Sequence, residues 1–146
     1  MPLAAHDTQM KTTDLAYLAT PFLAWLCAGS LKFAINCLRE RRLAFDLIGY
    51  GGMPSNHSAI VGSMCVLIAL REGLGHPAFG VAVTLAFIVL LDASSLRKQV
   101  GRHAEAINRL DAGAKLRERM GHSRAEIAAG LVTGAAVAAM VHGLTG

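Results

Sequence analysis

Cysteine is scarce and odd in number: Cys27, Cys37 and Cys65 lie inside apolar segments without metal-ligand spacing. This excludes a disulfide framework and leaves the three as small core residues. Acidic residues number 10 and form no carboxylate cluster at ligand spacing, so neither a metal nor a cofactor is expected. Aromatics make up 5% of the chain, too few to interleave with its basic residues as nucleic-acid readers do. Nucleic acid is therefore not an expected partner. Repeats, low-complexity tracts and linkers are missing too, which points to a single domain over 1–146 with a polar segment at 1–14. That segment carries Asp7 and Asp14 against Lys11, which argues against a secretory signal peptide, whose n-region is basic.

What fills the chain is apolar sequence. The hydrophobic share is 53%, and it is gathered into runs too long for a small soluble fold. Leu15 to Leu38 is interrupted only by Thr20, Ser30, Lys32 and Asn36 among polar side chains; Pro77 to Leu91 is nearly unbroken; Ala125 to Leu144 holds Glu126 and a few small polar residues. Each is long enough to span, or nearly span, a hydrocarbon core of about 30 Å. Ser55 to Gly73 makes a fourth, shorter candidate. From Lys98 to Met120 an apolar stripe of Val100, Ala104, Ile107, Leu110 and Ala114 runs among charges, which predicts an amphipathic helix with His103 turned inward beside the stripe. The expected fold is thus all-α, an integral membrane bundle of about four transmembrane helices plus one amphipathic helix on the cytoplasmic side.

Charge sets the orientation. If the four spans alternate, all of the 14 basic residues except Lys11 and Arg71 fall on the side of the Leu38 to Ser55 and Leu96 to Arg124 connections. By the positive-inside rule that side is cytoplasmic, and the expected location is a bacterial inner membrane with the site facing the cytoplasm. The net charge of +4 reads as this topology signal, with some attraction to anionic headgroups.

Chemistry-bearing residues gather on the same side. Gly49-Tyr50-Gly51-Gly52-Met53-Pro54-Ser55-Asn56-His57-Ser58 is a glycine-rich loop running into a helix, with Pro54 holding off helix and Ser55 as the N-cap. The amides of Asn56, His57 and Ser58 would face an anion, and His57 adds a proton-transfer group. An ordinary capped helix with an interfacial histidine explains the same residues. Lys32 and Arg39 are two helical turns apart on one face, where they either bind an anion or snorkel to headgroups. Asp92 is an acid at the inner edge of an apolar span, satisfied by Arg97 or by Lys32, or else part of a site. Ser123 to Glu126 is a capping box for the last helix; His122 before it is open to either reading. Gly130 and Gly134 form a small-xxx-small face, from which a homodimer through the last helix is expected.

The order Lys32 and Arg39, then Ser55 to His57, then Arg97 and His103 resembles the type 2 phosphatidic acid phosphatase superfamily, which includes the vanadium haloperoxidases. Lys32 and Arg39 keep the spacing of its first motif, Pro54-Ser55-Asn56-His57 tracks the second, and Arg97 and His103 keep the third. Gly52 to Ala59, Asp92 to Arg97 and Gly121-His122 look closer to its divergent branch. Glu40, Asn56, Leu96 and Ile107 stand where the motifs have proline, glycine, serine and the orienting aspartate. The resemblance implies that His103 is a nucleophile and His57 a general acid, with Lys32, Arg39, Ser55, Asn56 and Arg97 on the phosphate. With the aspartate replaced by Ile107, Asp92 or Asn108 is expected to hold His103, and His122 to support the site. It implies a metal-independent membrane phosphatase that hydrolyses a polyprenyl or glycerolipid phosphate or diphosphate through a phosphohistidine. The alternative is a non-catalytic four-helix protein that binds anionic lipid or serves in an assembly. Transport fits poorly, because the polar residues cluster at one interface and no broken helices mark the midplane.

Overall fold

The protein is described by a computed structural model covering residues 12–45, 52–111 and 113–145. Gly49, Tyr50 and Gly51 of the glycine-rich stretch and residues 1–11 lie outside the described residues. Helix α1 runs Thr12–Glu40, α2 Asn56–Arg71, α3 Pro77–Leu91, α4 Arg97–Leu110 and α5 Arg124–Thr145, with a π-helical turn at Asp92–Leu96 joining α3 to α4. Among the described residues three segments are long and apolar enough to cross a membrane: Leu15–Glu40, the continuous Pro77–Leu110 and Arg124–Thr145. The shorter α2, with 16 residues, extends about 24 Å. This is an all-helical membrane bundle.

Small residues bring its helices together. Ala24 and Ala28 of α1 meet Ala59 of α2, and Ala16 packs with Leu67, Ala138 and Val141. Contact is closest between α2 and α5, which run parallel because both begin at the basic end. The amide of Ser55 donates to the carbonyl of Glu126 at 2.9 Å, pinning the two helix starts to each other. One turn further, a Cβ on Gly130 would lie 2.4 Å from the Ser55 carbonyl oxygen, and one on Gly134 would lie 2.3 Å from that of Ala59. Only glycine permits that approach.

The expected dimer face is therefore occupied within one chain, since Gly130 and Gly134 are buried against α2. Gly134→Leu should destabilise the bundle by on the order of 3 kcal/mol or more, whereas Leu at exposed Ala136 should be tolerated. Thermal unfolding in detergent checks this; equal melting of the two variants would show that α2 and α5 are not in contact there.

At the opposite end Tyr17 donates to Glu72 at 2.5 Å, and the Arg71 guanidinium lies 5.2 Å from the Tyr17 ring centroid while bonding Thr145. These contacts join the start of α1 to the ends of α2 and α5. Helix α3 is held mainly by α2 and leaves Val81, Leu85, Phe87 and Ile88 exposed, as suits a helix facing lipid.

Past α3 the structure departs from the sequence reading. The amphipathic helix ends at Leu110, not Met120. Asp111 accepts from the Gly113 amide at 2.9 Å, and the Asn108 side chain takes both the amide (2.7 Å) and the carbonyl (2.8 Å) of Leu116. Such side-chain bonds compete with helix continuation. The chain instead folds back as a strap across Gly101, which with Ala104 is a buried position of α4. A Cβ on Gly101 would lie 2.4 Å from the Glu118 carbonyl oxygen, so the strap requires glycine there.

That packing also corrects His103. The buried side of α4 is made of its smallest residues, Gly101 and Ala104, while Val100, Ile107 and Leu110 lie on the exposed side. His103 is exposed with them. Six residues after Arg97, it is rotated about 240° around the helix, away from the face that Arg97 presents.

Candidate functional site

Helix α1 and the residues just past it, the starts of α2 and α4, and the strap from Arg117 to His122 line a cavity of about 640 Å³ at the basic end of the bundle. Its apolar lining includes Trp25, Leu26, Phe33 and Phe45. Phe33 and Phe45 have ring centroids 5.1 Å apart near the end of α1. Its polar lining includes Lys32 and Asn36 from α1, Asn56 and His57 from α2, and Arg97, Arg117 and His122 from beyond α3.

Each polar group is placed by a local rule. Ser55 is the N-cap of α2, its oxygen accepting from the Ser58 amide at 3.4 Å and the Ser58 hydroxyl at 3.0 Å. It is fully buried and does not line the cavity, so its contribution is to fix the helix start that presents Asn56 and His57. Gly52 is buried beside Asn36 and Lys32, with φ of 143° that favours glycine. Lys32 reaches the cavity, but Arg39 is exposed and does not line it. Two turns carry Arg39 about 10 Å further along α1, beyond the cavity.

Arg97 and Asp92 are joined by the π-turn. On an α-helix residues five apart lie about 140° apart; the wider turn, in which the Arg97 amide bonds the Asp92 carbonyl, aligns them. Arg97 Nε then donates to Asp92 Oδ2 at 2.6 Å. Of the two partners open to Asp92 in the sequence, the structure selects Arg97. Asp92 thus does not hold His103, and neither does Asn108, whose amide also donates to Glu118 at 2.8 Å. A guanidinium has five N–H donors, so the carboxylate braces one edge of Arg97.

His122 is the residue whose placement matters most. Its amide donates to the Ala93 carbonyl at 3.0 Å, and Gly121, with φ of 81°, makes the turn beside Lys98 and Ala93 that aims it inward. The ring is 7% exposed, and neither nitrogen has a hydrogen-bond partner among the described residues. His57 Nδ1 and Asn56 Oδ1 are likewise buried without one. The two imidazoles face each other nearly edge to face, centroids 6.2 Å apart. Burial, and then the Lys32 ammonium, hold the His122 imidazole below its ordinary pKa. Buried polar atoms left unpaired are costly and unusual, and here several converge on one cavity. Among the described residues no three His, Cys, Asp or Glu side chains come together as a ligand set for a metal.

The structure therefore gathers Lys32, Asn56, His57, Arg97 and His122, with Asp92 behind Arg97, and adds Asn36 and Arg117. It leaves Arg39, Ser55, His103 and Asn108 off the cavity wall. Arg117 is not foreseeable from local pattern, because only the strap brings it there. Immediately past Gly121 the capping box forms as expected, with the Ser123 amide bonding Glu126 at 2.7 Å and the Glu126 amide bonding Ser123 at 3.2 Å.

This arrangement can hold a compact anion among cations, beside two histidines and apolar side chains. The profile of the family described as "Divergent PAP2 family" matches residues 13–137. A curated relative, the "Uncharacterized membrane protein YuiD" of Bacillus subtilis (strain 168), is 30% identical, the match covering 80% of this chain and 87% of the relative. No solved structure matches. A profile match over most of the chain, with the motif residues Lys32, Pro54 to His57 and Arg97 inside it, places the protein: it belongs to the divergent PAP2 family.

Proposed function

We propose that the chain hydrolyses a lipid-linked phosphate or diphosphate at this cavity. The observation that carries the reading is the cavity's mixed lining, in which Lys32, Arg97, His57 and His122 share one space with Trp25, Leu26, Phe33 and Phe45. A phosphate headgroup suits the charged and imidazole groups and the start of a hydrocarbon tail the apolar ones. Phosphoryl transfer asks the protein mainly for positioning and charge stabilisation. Lys32 and Arg97 supply charge at the phosphoryl oxygens, Asn56 and the first amides of α2 add donors, and His57 protonates the departing oxygen. The phosphoryl group is carried in transit on a histidine of the cavity. His103, on the outer side of α4, takes no part.

Substrate discrimination tests the lipid half of this reading. A long-chain polyprenyl or glycerolipid phosphate should show kcat/KM at least about a hundredfold above a water-soluble phosphate with the same head, because tail binding is used to position the reacting group. Trp25 is the chain's one tryptophan and lines the cavity, so its fluorescence should change with long-chain phosphate and not with the corresponding alcohol. Equal handling of long and short chains would remove the lipid from the proposal.

The same reading places the cavity at the cytoplasmic face of a bacterial inner membrane, on the strength of the basic residues at that end. A cysteine introduced at Arg41, in a background without Cys27, Cys37 and Cys65, should resist an impermeant thiol reagent in intact cells. Ready labelling would reverse the orientation.

A further inference from the structure

We infer that His122, a residue outside the three sequence motifs, is the nucleophile that carries the phosphoryl group, with His57 as its acid and base partner; the inference rests on the hydrolase reading above. Three observations support it. His122 and His57 are the two histidines that line the cavity. Both nitrogens of the His122 ring are buried without a hydrogen-bond partner among the described residues, so neither is committed to the fold. The two ring centroids are 6.2 Å apart, too far for an imidazole–imidazole hydrogen bond.

Burial beside Lys32 favours the neutral His122 ring, which leaves a nitrogen lone pair for attack. In the first step that nitrogen bonds the terminal phosphorus, the bond from this phosphorus to the lipid oxygen of a monophosphate, or to the bridging oxygen of a diphosphate, breaks, and this oxygen takes the proton of the His57 imidazolium. The products are lipid alcohol or lipid monophosphate, neutral His57 and phospho-His122. In the second step His57 takes a proton from water as the water oxygen bonds phosphorus. The P–N bond then breaks and its electron pair returns to the His122 ring. Inorganic phosphate leaves, and the imidazolium of His57 is restored. Lys32 and Arg97 stay on the phosphoryl oxygens throughout, and no other reactant is consumed.

The assignment is read by trapping the intermediate. Wild-type protein in phosphatidylcholine vesicles carrying phosphorus-labelled phosphatidic acid or polyprenyl diphosphate is quenched in base, where phosphohistidine survives, and the labelled peptide is sequenced. Label is expected on His122. His122→Gln should lose the label and at least about a thousandfold in turnover, with binding still visible through Trp25. His122→Gly should regain turnover when free imidazole is added, an outcome that a purely structural histidine would not give. Label on His57 or His103, or near-normal turnover in His122→Gln, would overturn the assignment and leave the hydrolase reading standing. Absence of phosphate release from either lipid by the wild type would overturn both.

Discussion

His57→Ala should slow hydrolysis of a lipid phosphate by about 10²–10⁴-fold while leaving an activated aryl phosphate within about tenfold of the wild-type rate. The asymmetry follows from the role given to His57. An alkoxide is a poor leaving group and needs a proton as its bond to phosphorus breaks; a nitrophenolate departs without one. His57 is positioned for this by Ser55, which caps α2, and by the Ser55 to Glu126 backbone bond that fixes the helix start against α5. A series of aryl and alkyl phosphates of graded leaving-group acidity checks the expectation. The rate of the variant should depend on leaving-group pKa far more steeply than that of the wild type. Equal losses across the series would assign His57 to phosphate binding instead.

Arg97→Ala should lower kcat by about 10²–10³-fold, the cost of removing a preorganised donor from developing charge. A second effect adds to it. Asp92, which the π-turn aligns with Arg97 at 2.6 Å, would lose its ion-pair partner, leaving a negative charge behind the phosphate site uncompensated. Asp92→Asn alone should cost less than Arg97→Ala, because the guanidinium stays in place and loses only its brace. In the double variant the losses should fall well short of additive, since both act through one group. Arg97→Lys should recover little, an ammonium being unable to reproduce the planar fork. Additive effects would mean that Asp92 acts on the substrate independently of Arg97.

How much of this was legible in the sequence divides along a physical line. The spans were, because unbroken apolar runs of bilayer length admit few alternatives; Pro77–Leu91 begins and ends where its composition does. The Ser55 cap and the Ser123 to Glu126 box were also legible, since each is a local bond between residues three apart. Lys32, Asn56, His57 and Arg97, which the motifs single out, all line one cavity. What failed depended on rotation and on return of the chain. His103 shares a motif spacing with Arg97, yet α4 is regular from Arg97 onward and turns it outward. The apolar stripe was read as one helical face reaching Ala114, but α4 ends at Leu110, leaves Val100, Ile107 and Leu110 exposed, and buries Gly101, where the Glu118 backbone fits only over glycine. Gly130 and Gly134 were rightly read as a close-packing face; sequence alone does not say whether the partner helix belongs to the same chain. His122 carried a signal, Gly121 before it and the cap after it, which fix a turn without revealing what that turn faces.

Release of inorganic phosphate is the most direct measurement of the central claim. Purified protein in vesicles is given long-chain lipid phosphates, while Trp25 fluorescence reports occupancy of the cavity. Vanadate, a mimic of the five-coordinate phosphoryl group, is added in a parallel run. The account predicts release on the order of 1 s⁻¹ or faster, its suppression by vanadate, and loss of turnover with retained binding in His57→Ala. Binding of the lipid without phosphate release, in wild type and variant alike, would contradict it and make the cavity a lipid-binding site without catalysis.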